Sequence, residues 1–282
     1  MKTLLACILL VIAISPVYSQ DSTQLKTAPW FVQRFKVSAG LFIPLNNTNI
    51  QVDLTGTVRE GTEIDFEDDL GFTKSSVTFL GDLQWRASRR SRFDFSYYFI
   101  NRKSTHTLDR DLIFGEDTFH VNNEVSSFFN TPIFRISYGY ALLARPKFEA
   151  GLLVGVHVVG TKVGMSLSGA VSGERSTDFN VTAPLPDFGI WGGYEFSKHF
   201  ALNAEADYFA LTINDITGKI VAYDISLTYR ILESFRVALG YSGLDCKVDA
   251  VKDNLTGNFK WGYNGPVITA TYTFGRKKWL TD

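Results

Sequence analysis

The chain has 282 residues, of which 20% are charged and 14% are aromatic, and its formal net charge is -1. This length allows one large all-β domain or two ordinary domains, and because no Pro/Ser-rich linker divides the sequence, one domain is the simpler interpretation. The nearly balanced charge offers no concentrated basic face of the kind that nucleic-acid binding requires, so no nucleic-acid partner is expected.

Residues 1–19 have the features of a cleaved secretory signal peptide. Lys2 is followed by an apolar stretch from Leu4 to Ile14, and the small residues Val17 and Ser19 precede a predicted cut before residue 20. No apolar run of about 18 residues follows, which excludes helical membrane spans. Removal of the leader leaves Cys246 as the only cysteine, so no intrachain disulfide is predicted.

Most of the remaining chain alternates apolar and polar residues with a period of two. In the segment RFDFSYYFINR, the residues Phe93, Phe95, Tyr97 and Phe99 share one face. The same alternation returns in about nine other segments, and the first of them places Phe31 with the outward-facing residues. So much exposed apolar surface is hazardous in water, whereas a hydrocarbon core favours it and forbids open sheet edges.

The alternation therefore predicts an all-β fold, a transmembrane antiparallel up-and-down β-barrel with lipid outside and a polar interior. About ten strands are expected. The segment 49–59 provides an extra strand in an alternative with about twelve, and ten is preferred. Interfacial girdles are expected to draw on amphipathic aromatic side chains. The candidates are Tyr97, Tyr98, Tyr138, Tyr140, Tyr194, Tyr208, Tyr223, Trp30 and Trp85.

Short and long connections alternate between the predicted strands. The short links lie at 87–91, 145–146, 197–199 and 233–234, and the longer polar segments lie at 44–72, 104–119, 168–179, 212–218 and 252–257. Such asymmetry is typical of barrels with periplasmic turns and external loops. The predicted organisation is a signal peptide at 1–19, a barrel at 20–274 and a basic periplasmic tail at 275–282.

The last predicted strand, PVITATYTF, ends on the aromatic residue Phe274. Together with the exported start and the aromatic-rich strands, this ending resembles the bacterial outer-membrane β-barrel proteins of the broad OmpA/OmpW-like small-barrel kind. The resemblance implies localisation in the outer membrane of a Gram-negative bacterium and insertion by the barrel-assembly machinery. It also implies contact with outer-membrane lipid and lipopolysaccharide, and a monomeric state.

Sixteen charged residues fall on inward-facing positions, mostly basic in the first four strands and mostly acidic in strands five to eight. They are Arg34, Lys36, Asp82, Arg86, Arg92, Asp94, Arg102, Arg135, Glu149, Asp187, Glu195, Glu205, Asp207, Asp224, Arg230 and Arg236. One hypothesis is a lumen filled by ion pairs and a structural or surface role. The alternative is a narrow porin-like diffusion pore with a transverse charge field. A barrel of ten strands is closer in size to the narrow barrels whose interior is filled by side chains, and this favours the filled lumen.

An outer-membrane hydrolase is the third hypothesis. His106 and His120 flank an external segment with four carboxylates and define a conceivable rim site, although solvated loop charge is the preferred explanation. His157 is too far along its strand from Glu149 to form a dyad and is expected to hydrogen-bond in the lumen. No catalytic residue, metal site or cofactor is therefore predicted. The acidic run GTEIDFEDDLGF is interpreted as a solvated loop, with divalent cations bridging lipopolysaccharide phosphates as the alternative.

Overall fold

The structure is a computed structural model that describes residues 28–54, 62–114, 117–167, 176–213, 216–252 and 255–275. The predicted leader and residues 276–282 of the predicted tail lie outside the described residues. Among the residues described, no helix is long and apolar enough to cross a membrane. The strands are β1 Phe35–Phe42, β2 Leu45–Leu54, β3 Ile64–Asp65, β4 Thr78–Arg86, β5 Ser91–Thr107, β6 Leu112–Phe114, β7 Asp117–Phe119, β8 Glu124–Ala144, β9 Phe148–Leu167, β10 Ser176–Glu195, β11 Phe200–Ile213, β12 Ile216–Arg230, β13 Phe235–Lys252 and β14 Leu255–Phe274.

Ten of these strands form a closed antiparallel barrel, as predicted. Its strands are β1, β4, β5 and β8 to β14, paired in chain order, and β1 pairs with β14 to close the ring. Phe35 lies opposite Phe274 in that closing pair, so the terminal aromatic residue of the last strand sits at the seam. Closure leaves no open sheet edge inside the bilayer, which a hydrocarbon environment requires.

The extra strand considered at 49–59 exists in part but does not enlarge the barrel. β2 follows β1 after Pro44 and pairs with the first half of β14, where Leu45 lies opposite Asn264. β1 pairs with the second half of the same strand. The two segments therefore occupy one position in the ring, and the barrel has ten positions rather than twelve. Residues 55–59 lie outside the described part of the chain.

The two ends of the barrel differ. At one end, here called the turn end, the connections are the short segments 87–90, 145–147, 196–199 and 231–234, close to the predicted links. The opposite end, here called the loop end, carries the longer connection 43–77 and the hairpin formed by β6 and β7. The predicted external segments 212–218 and 252–257 are instead mostly strand, because β11 and β12 extend to Ile213 and Ile216 and β13 and β14 extend to Lys252 and Leu255. In barrels of this kind the short turns face the periplasm and the longer loops face the outside.

The polarity of the wall inverts along the strands, and this differs from the uniformly polar interior expected from the sequence. Near the turn end of β13, Leu239 and Tyr241 are exposed on the outer face. Nearer the loop end, the outer face carries Lys247, while Leu244 and Val248 are buried on the inner face. An apolar outer belt suits lipid, and a polar outer face over an apolar interior suits water. The barrel therefore extends beyond the bilayer at its loop end.

The loop-end half of the barrel encloses an apolar core. The segment 64–72, predicted to be part of a solvated loop, folds into this core and buries Ile64, Phe66, Leu70 and Phe72. The ring of Phe66 packs edge-on against Phe129, with 5.7 Å between centroids. The remaining members of the core on the strands include Ile100, Ile133, Val159, Val163, Met165, Ile220, Cys246, Phe259 and Trp261. The interior at this end is a packed hydrophobic core.

The turn end is closed by the residues that precede β1. Phe31 was predicted to face outward on the first strand, but β1 begins only at Phe35 and Phe31 is buried. Its ring lies against Gly193, where an added Cβ would come within 2.7 Å of the ring. Trp30, Phe31, Val32 and Ala201 form a separate buried cluster. The segment 28–32 thus folds into the barrel mouth instead of extending the outer belt.

Candidate functional site in the lumen

An ion-pair network crosses the middle of the lumen. Arg135 on β8 lies 2.5 Å from Glu205 and 2.9 Å from Asp207, both on β11. Arg92 on β5 lies 2.6 Å from the same Glu205 and 2.9 Å from Asp94. β5 and β11 are four positions apart in the ring of ten, so the bond between Arg92 and Glu205 spans the lumen. The arrangement joins a basic wall to an acidic one through ion pairs.

His157 belongs to this network through a partner on the neighbouring strand. Its Nδ1 lies 2.8 Å from Asp187 on β10, and both side chains are buried. Arg135 approaches the other carboxylate oxygen of Asp187 at 3.7 Å. Glu149, the partner excluded from the sequence, lies on the same strand as His157. The actual contact follows from the pairing of β9 with β10, in which His157 lies opposite Leu185.

Nearer the turn end, Glu149 is held by two arginines. Arg86 donates to Glu149 from β4, and Arg89 donates at 2.7 Å from the turn that follows. All three side chains are nearly inaccessible to solvent. The guanidinium of Arg92 stacks over the Trp191 ring, with 3.9 Å from its central carbon to the centroid. Arg89 was absent from the predicted lumen residues because it lies in a turn, where the alternation of strands gives no direction.

The segment that closes the turn end is anchored by three of the predicted lumen residues. The Trp30 backbone N–H donates to Glu195 at 2.9 Å, and its indole N–H donates to the Ser197 carbonyl at 3.0 Å. Arg236 donates to the Trp30 carbonyl at 3.0 Å. The guanidinium carbons of Arg230 and Arg236 each lie 5.1 Å from the Trp30 ring centroid, within cation–π range. Trp30 is thus part of a seal and not of an interfacial girdle.

Arg34 and Arg102 lie at opposite ends of the barrel. Arg34 donates to the Ala87 carbonyl at 3.1 Å and ties the start of the chain to a short turn. Arg102 on β5 donates to Glu67 at 2.5 Å and to the Thr48 hydroxyl at 3.0 Å. The pair of Arg102 and Glu67 is almost completely buried and holds the inserted segment 64–72 against the barrel wall.

The acidic run in that segment serves the fold of the loop. Asp65 accepts hydrogen bonds from the backbone N–H groups of Glu67 and Asp68, at 2.9 and 2.8 Å. Asp69 accepts two hydrogen bonds from Arg110, at 2.8 and 2.6 Å. Partial burial opposes ionisation of Asp69, but the bonds from Arg110 and from the Asp65 backbone outweigh it and lower the pKa of the carboxyl. No cluster of three potential metal ligands occurs among the described residues, and these carboxylates are used as caps and ion pairs.

A cavity of about 370 Å³ remains between the segment 28–32 at the turn end and the apolar core at the loop end. These two structures are here called the turn-end seal and the loop-end seal. Lys36, Asp82 and Asp224, all predicted to face the lumen, line it. Phe31 contributes to its turn-end wall. Towards the loop end, the hydroxyls of Tyr98 and Tyr263 are hydrogen-bonded to each other across the interior. Tyr98 therefore faces inward, in contrast to its predicted place in a girdle.

The two rim histidines make different local contacts. His120 lies 3.3 Å from Asp111, and both side chains are more than half exposed. The hydrogen bonds from the Val121 backbone and from His120 lower the pKa of Asp111. The ring of His106 instead packs at Gly71, which adopts a left-handed φ of 64° and where an added Cβ would come within 2.8 Å of that ring. His120 and His106 thus have separate local roles.

Comparison with known proteins agrees with this architecture. No protein-family model matches the sequence, and no curated protein sequence matches it. The outer-membrane protease OmpT of Escherichia coli is similar in structure, with a TM-score of 0.56 and 11% sequence identity over 87% of this chain and 100% of that chain. The fold is that of a bacterial outer-membrane β-barrel. At this level of identity the likeness concerns the fold alone.

Two further structures have lower scores. The toluene transporter TodX of Pseudomonas putida has a TM-score of 0.35 and 9% identity, over 92% of this chain and 95% of that chain. The attachment invasion locus protein Ail of Yersinia pestis has a TM-score of 0.28 and 9% identity, over 82% of this chain and 97% of that chain. The protein itself is a closed barrel with an exposed apolar belt, which is suited to lipid. Its location is the bacterial outer membrane.

Proposed function

We propose that the protein is a closed outer-membrane barrel with a structural or surface role, and that its lumen is an internal core rather than a passage. The observation that carries this proposal is the apolar core at the loop end, where Phe66 from the inserted segment packs against Phe129. Phe129 in turn contacts Trp261, with 5.7 Å between ring centroids. An apolar constriction of this kind excludes water and with it hydrated ions.

Two further layers support a closed lumen. The network of Arg92, Arg135 and Glu205 crosses the middle beside the cavity that these residues line, with short ion pairs between opposite walls. The segment 28–32 fills the turn end and is fixed by hydrogen bonds to Glu195 and Ser197. Buried charges are tolerated when they are paired and hydrogen-bonded, so the network acts as a polar core.

The narrow pore is the second candidate because the cavity of about 370 Å³ is lined by charged residues from several strands. Conduction would require displacement of both Phe31 and the aromatic layer around Phe129. The surface role needs no such rearrangement, and for this reason we prefer it. The rim hydrolase is less favoured, since His106 packs at Gly71 and His120 pairs with the exposed Asp111.

Conductance in planar bilayers tests the proposal. We expect the purified folded protein to give no stepwise currents. A positive control lacks residues 28–32 and carries Phe66→Ala, Phe129→Ala and Trp261→Ala, which opens both seals, and it should conduct. Folding of each variant is checked by its heat-dependent mobility in gels.

Stepwise currents from the unaltered protein that change with Asp207→Asn or Arg135→Gln would refute the closed lumen and favour the pore. Hydrolysis of a peptide or lipid that is lost in His106→Ala or His120→Ala would favour the hydrolase.

A further inference from the structure

Three lysines stand side by side on the outer face of the barrel near its loop end. Lys219 on β12 lies directly opposite Lys247 on β13, and Lys247 lies directly opposite Lys260 on β14. All three side chains are exposed. Residues directly opposite each other on neighbouring antiparallel strands have Cβ atoms about 4.5–5.5 Å apart, so the three ammonium groups share one short row. We call these residues the lysine row.

The lysine row lies just above the apolar belt. Four residues nearer the turn end, Tyr223 lies opposite Gly243, which in turn lies opposite Asn264. The Tyr223 ring covers Gly243 on the outer face, since an added Cβ at that glycine would come within 2.4 Å of it. Four residues of strand span about 13 Å. Tyr223 has the amphipathic character of an interfacial residue, so the lysine row is at the height of the polar groups of the outer leaflet.

Neighbouring carboxylates neutralise the row only in part. Lys247 lies 3.3 Å from Asp249, and Asp249 also accepts a hydrogen bond from Asn258. Asp245 is a further carboxylate of this face and lies over Gly262, on the belt side of the row. On the other side of Lys260, Asn49 lies opposite it on β2, and Asp65 lies opposite Asn49 on β3. Within the described part of the chain, Lys219 and Lys260 form no ion pair. Like charges directly opposite each other destabilise a sheet, so an anion above the row stabilises the folded barrel.

We propose that the lysine row binds the phosphoryl groups of lipid A, the membrane anchor of lipopolysaccharide, in the outer leaflet. Ammonium groups bind phosphate as point charges and need no fixed geometry. The acyl chains of the same molecule lie along the apolar belt, where Tyr223, Ile225 and Leu227 are exposed below the row on β12. A free phosphate ion has no contact with that belt, which is why we assign the site to the lipid. The proposal rests on the outer-membrane location and is independent of whether the lumen conducts.

Lipid A titration of the purified barrel in detergent micelles containing EDTA tests the proposal, with the thermal midpoint and native mass spectrometry as readouts. Bis-phosphorylated lipid A should bind and raise the midpoint. The double variant Lys219→Gln/Lys260→Gln should bind it at least about tenfold more weakly, because each lysine near an anionic surface contributes on the order of 1 kcal/mol. Lys219→Arg/Lys260→Arg should retain binding. The matched control Lys147→Gln/Lys198→Gln removes two exposed lysines from the turn end, where the outer leaflet is out of reach.

Four outcomes overturn the proposal. One is equal affinity of the unaltered protein for fully dephosphorylated lipid A, which would show that the acyl chains alone bind. Another is unchanged affinity in Lys219→Gln/Lys260→Gln despite folded protein. A third is competition by millimolar inorganic phosphate, which would indicate a site for a free anion. The last is binding that appears only after Mg²⁺ is added, which would assign the contact to Asp245 and Asp249 through a bridging cation.

Discussion

Arg102 on β5 forms an ion pair with Glu67 of the inserted segment, and the exposed fractions of the two side chains are only 2% and 4%. The pair joins a residue of the predicted basic wall to a residue of the predicted acidic loop. It explains how a loop with five carboxylates packs inside a barrel. Arg102 pairs with the one carboxylate of the loop that is buried with its apolar side chains, and the loop can therefore seal the core.

Removal of one partner should release this segment. Glu67→Gln leaves Arg102 charged and buried without its partner, and breaking a buried pair in this way costs about 3–5 kcal/mol. We expect faster amide exchange in residues 64–72 and cleavage there by added protease, while the barrel itself stays folded. Asp68→Asn is the matched control, since Asp68 is exposed and lies 3.8 Å from Lys74. If Asp68→Asn loosened the segment as much as Glu67→Gln, the buried pair would not be what holds it.

The height of the lipid belt can be tested with two substitutions on one face of β12. Ile225 is exposed within the belt, and Thr217 faces outward eight residues nearer the loop end. Ile225→Lys should lower the free energy of unfolding by about 1–4 kcal/mol, because a lysine costs about 2–4 kcal/mol at the bilayer midplane and less towards the interface, whereas Thr217→Lys should cost about 0–1 kcal/mol. Urea unfolding in phospholipid vesicles measures both values. Similar losses at the two positions would contradict the assignment of Thr217 to the aqueous side.

The barrel and its outer belt could be predicted because a period of two is a local property of the sequence. Every outward residue from Phe93 to Phe99 follows from that period, and so does the inward direction of Arg92 and Arg102. The inversion of polarity keeps the same period, so alternation alone does not reveal it. The inversion is visible in the sequence of β13 as a change in the type of outward-facing residue, from Leu239 to Lys247. This change marks the end of the lipid-facing surface.

The contacts inside the lumen could not be predicted in the same way, because they depend on which strands meet and at which register. His157 and Asp187 are 30 residues apart and on different strands, and only the pairing of β9 with β10 brings them together. The inserted segment had a signal that was missed. Its acidic residues are interleaved with Ile64, Phe66 and Phe72, and apolar residues at such density are unusual in a solvated loop.

Loss of the turn-end seal should expose the cavity to the periplasmic side. Ser226 lines the cavity, and Ser226→Cys in a Cys246→Ala background introduces a thiol there. Trp30→Ala combined with Phe31→Ala removes the cation–π contacts of Trp30 and the packing of Phe31 on Gly193. Truncation of a buried aromatic residue costs about 3–5 kcal/mol, so the modification of the thiol should become at least about tenfold faster.

A membrane-impermeant thiol reagent added at the turn end measures this rate. Val37→Ala serves as the control, because Val37 lies on the outer face of β1 and should leave the rate unchanged. Rapid modification before the seal is altered would mean that segment 28–32 does not close the mouth.

The contact between Asp69 and Arg110 should make the inserted segment sensitive to acid. Burial raises the pKa of Asp69, but the hydrogen bonds from Arg110 and the Asp65 backbone lower it by more, so the net pKa lies below the ordinary 3.8. A carboxyl with a lowered folded pKa stabilises the fold fully above its unfolded pKa. That stabilisation is lost as the pH falls through the folded value. Protection of the Asp65 amide, which donates to Asp69 at 2.9 Å, should therefore stay constant from neutral pH to about pH 4 and then decrease.

Amide exchange of Asp65, corrected for the intrinsic rate at each pH, gives the profile. In Asp69→Asn the acid-dependent step should disappear, because the amide does not titrate. In Arg110→Gln the step should move to higher pH, since the guanidinium that lowers the pKa of Asp69 is gone. A profile with the same midpoint in Arg110→Gln as in the unaltered protein would show that another group controls the acid response. That result would leave the buried pair of Arg102 and Glu67 as the ionic contact to be tested next.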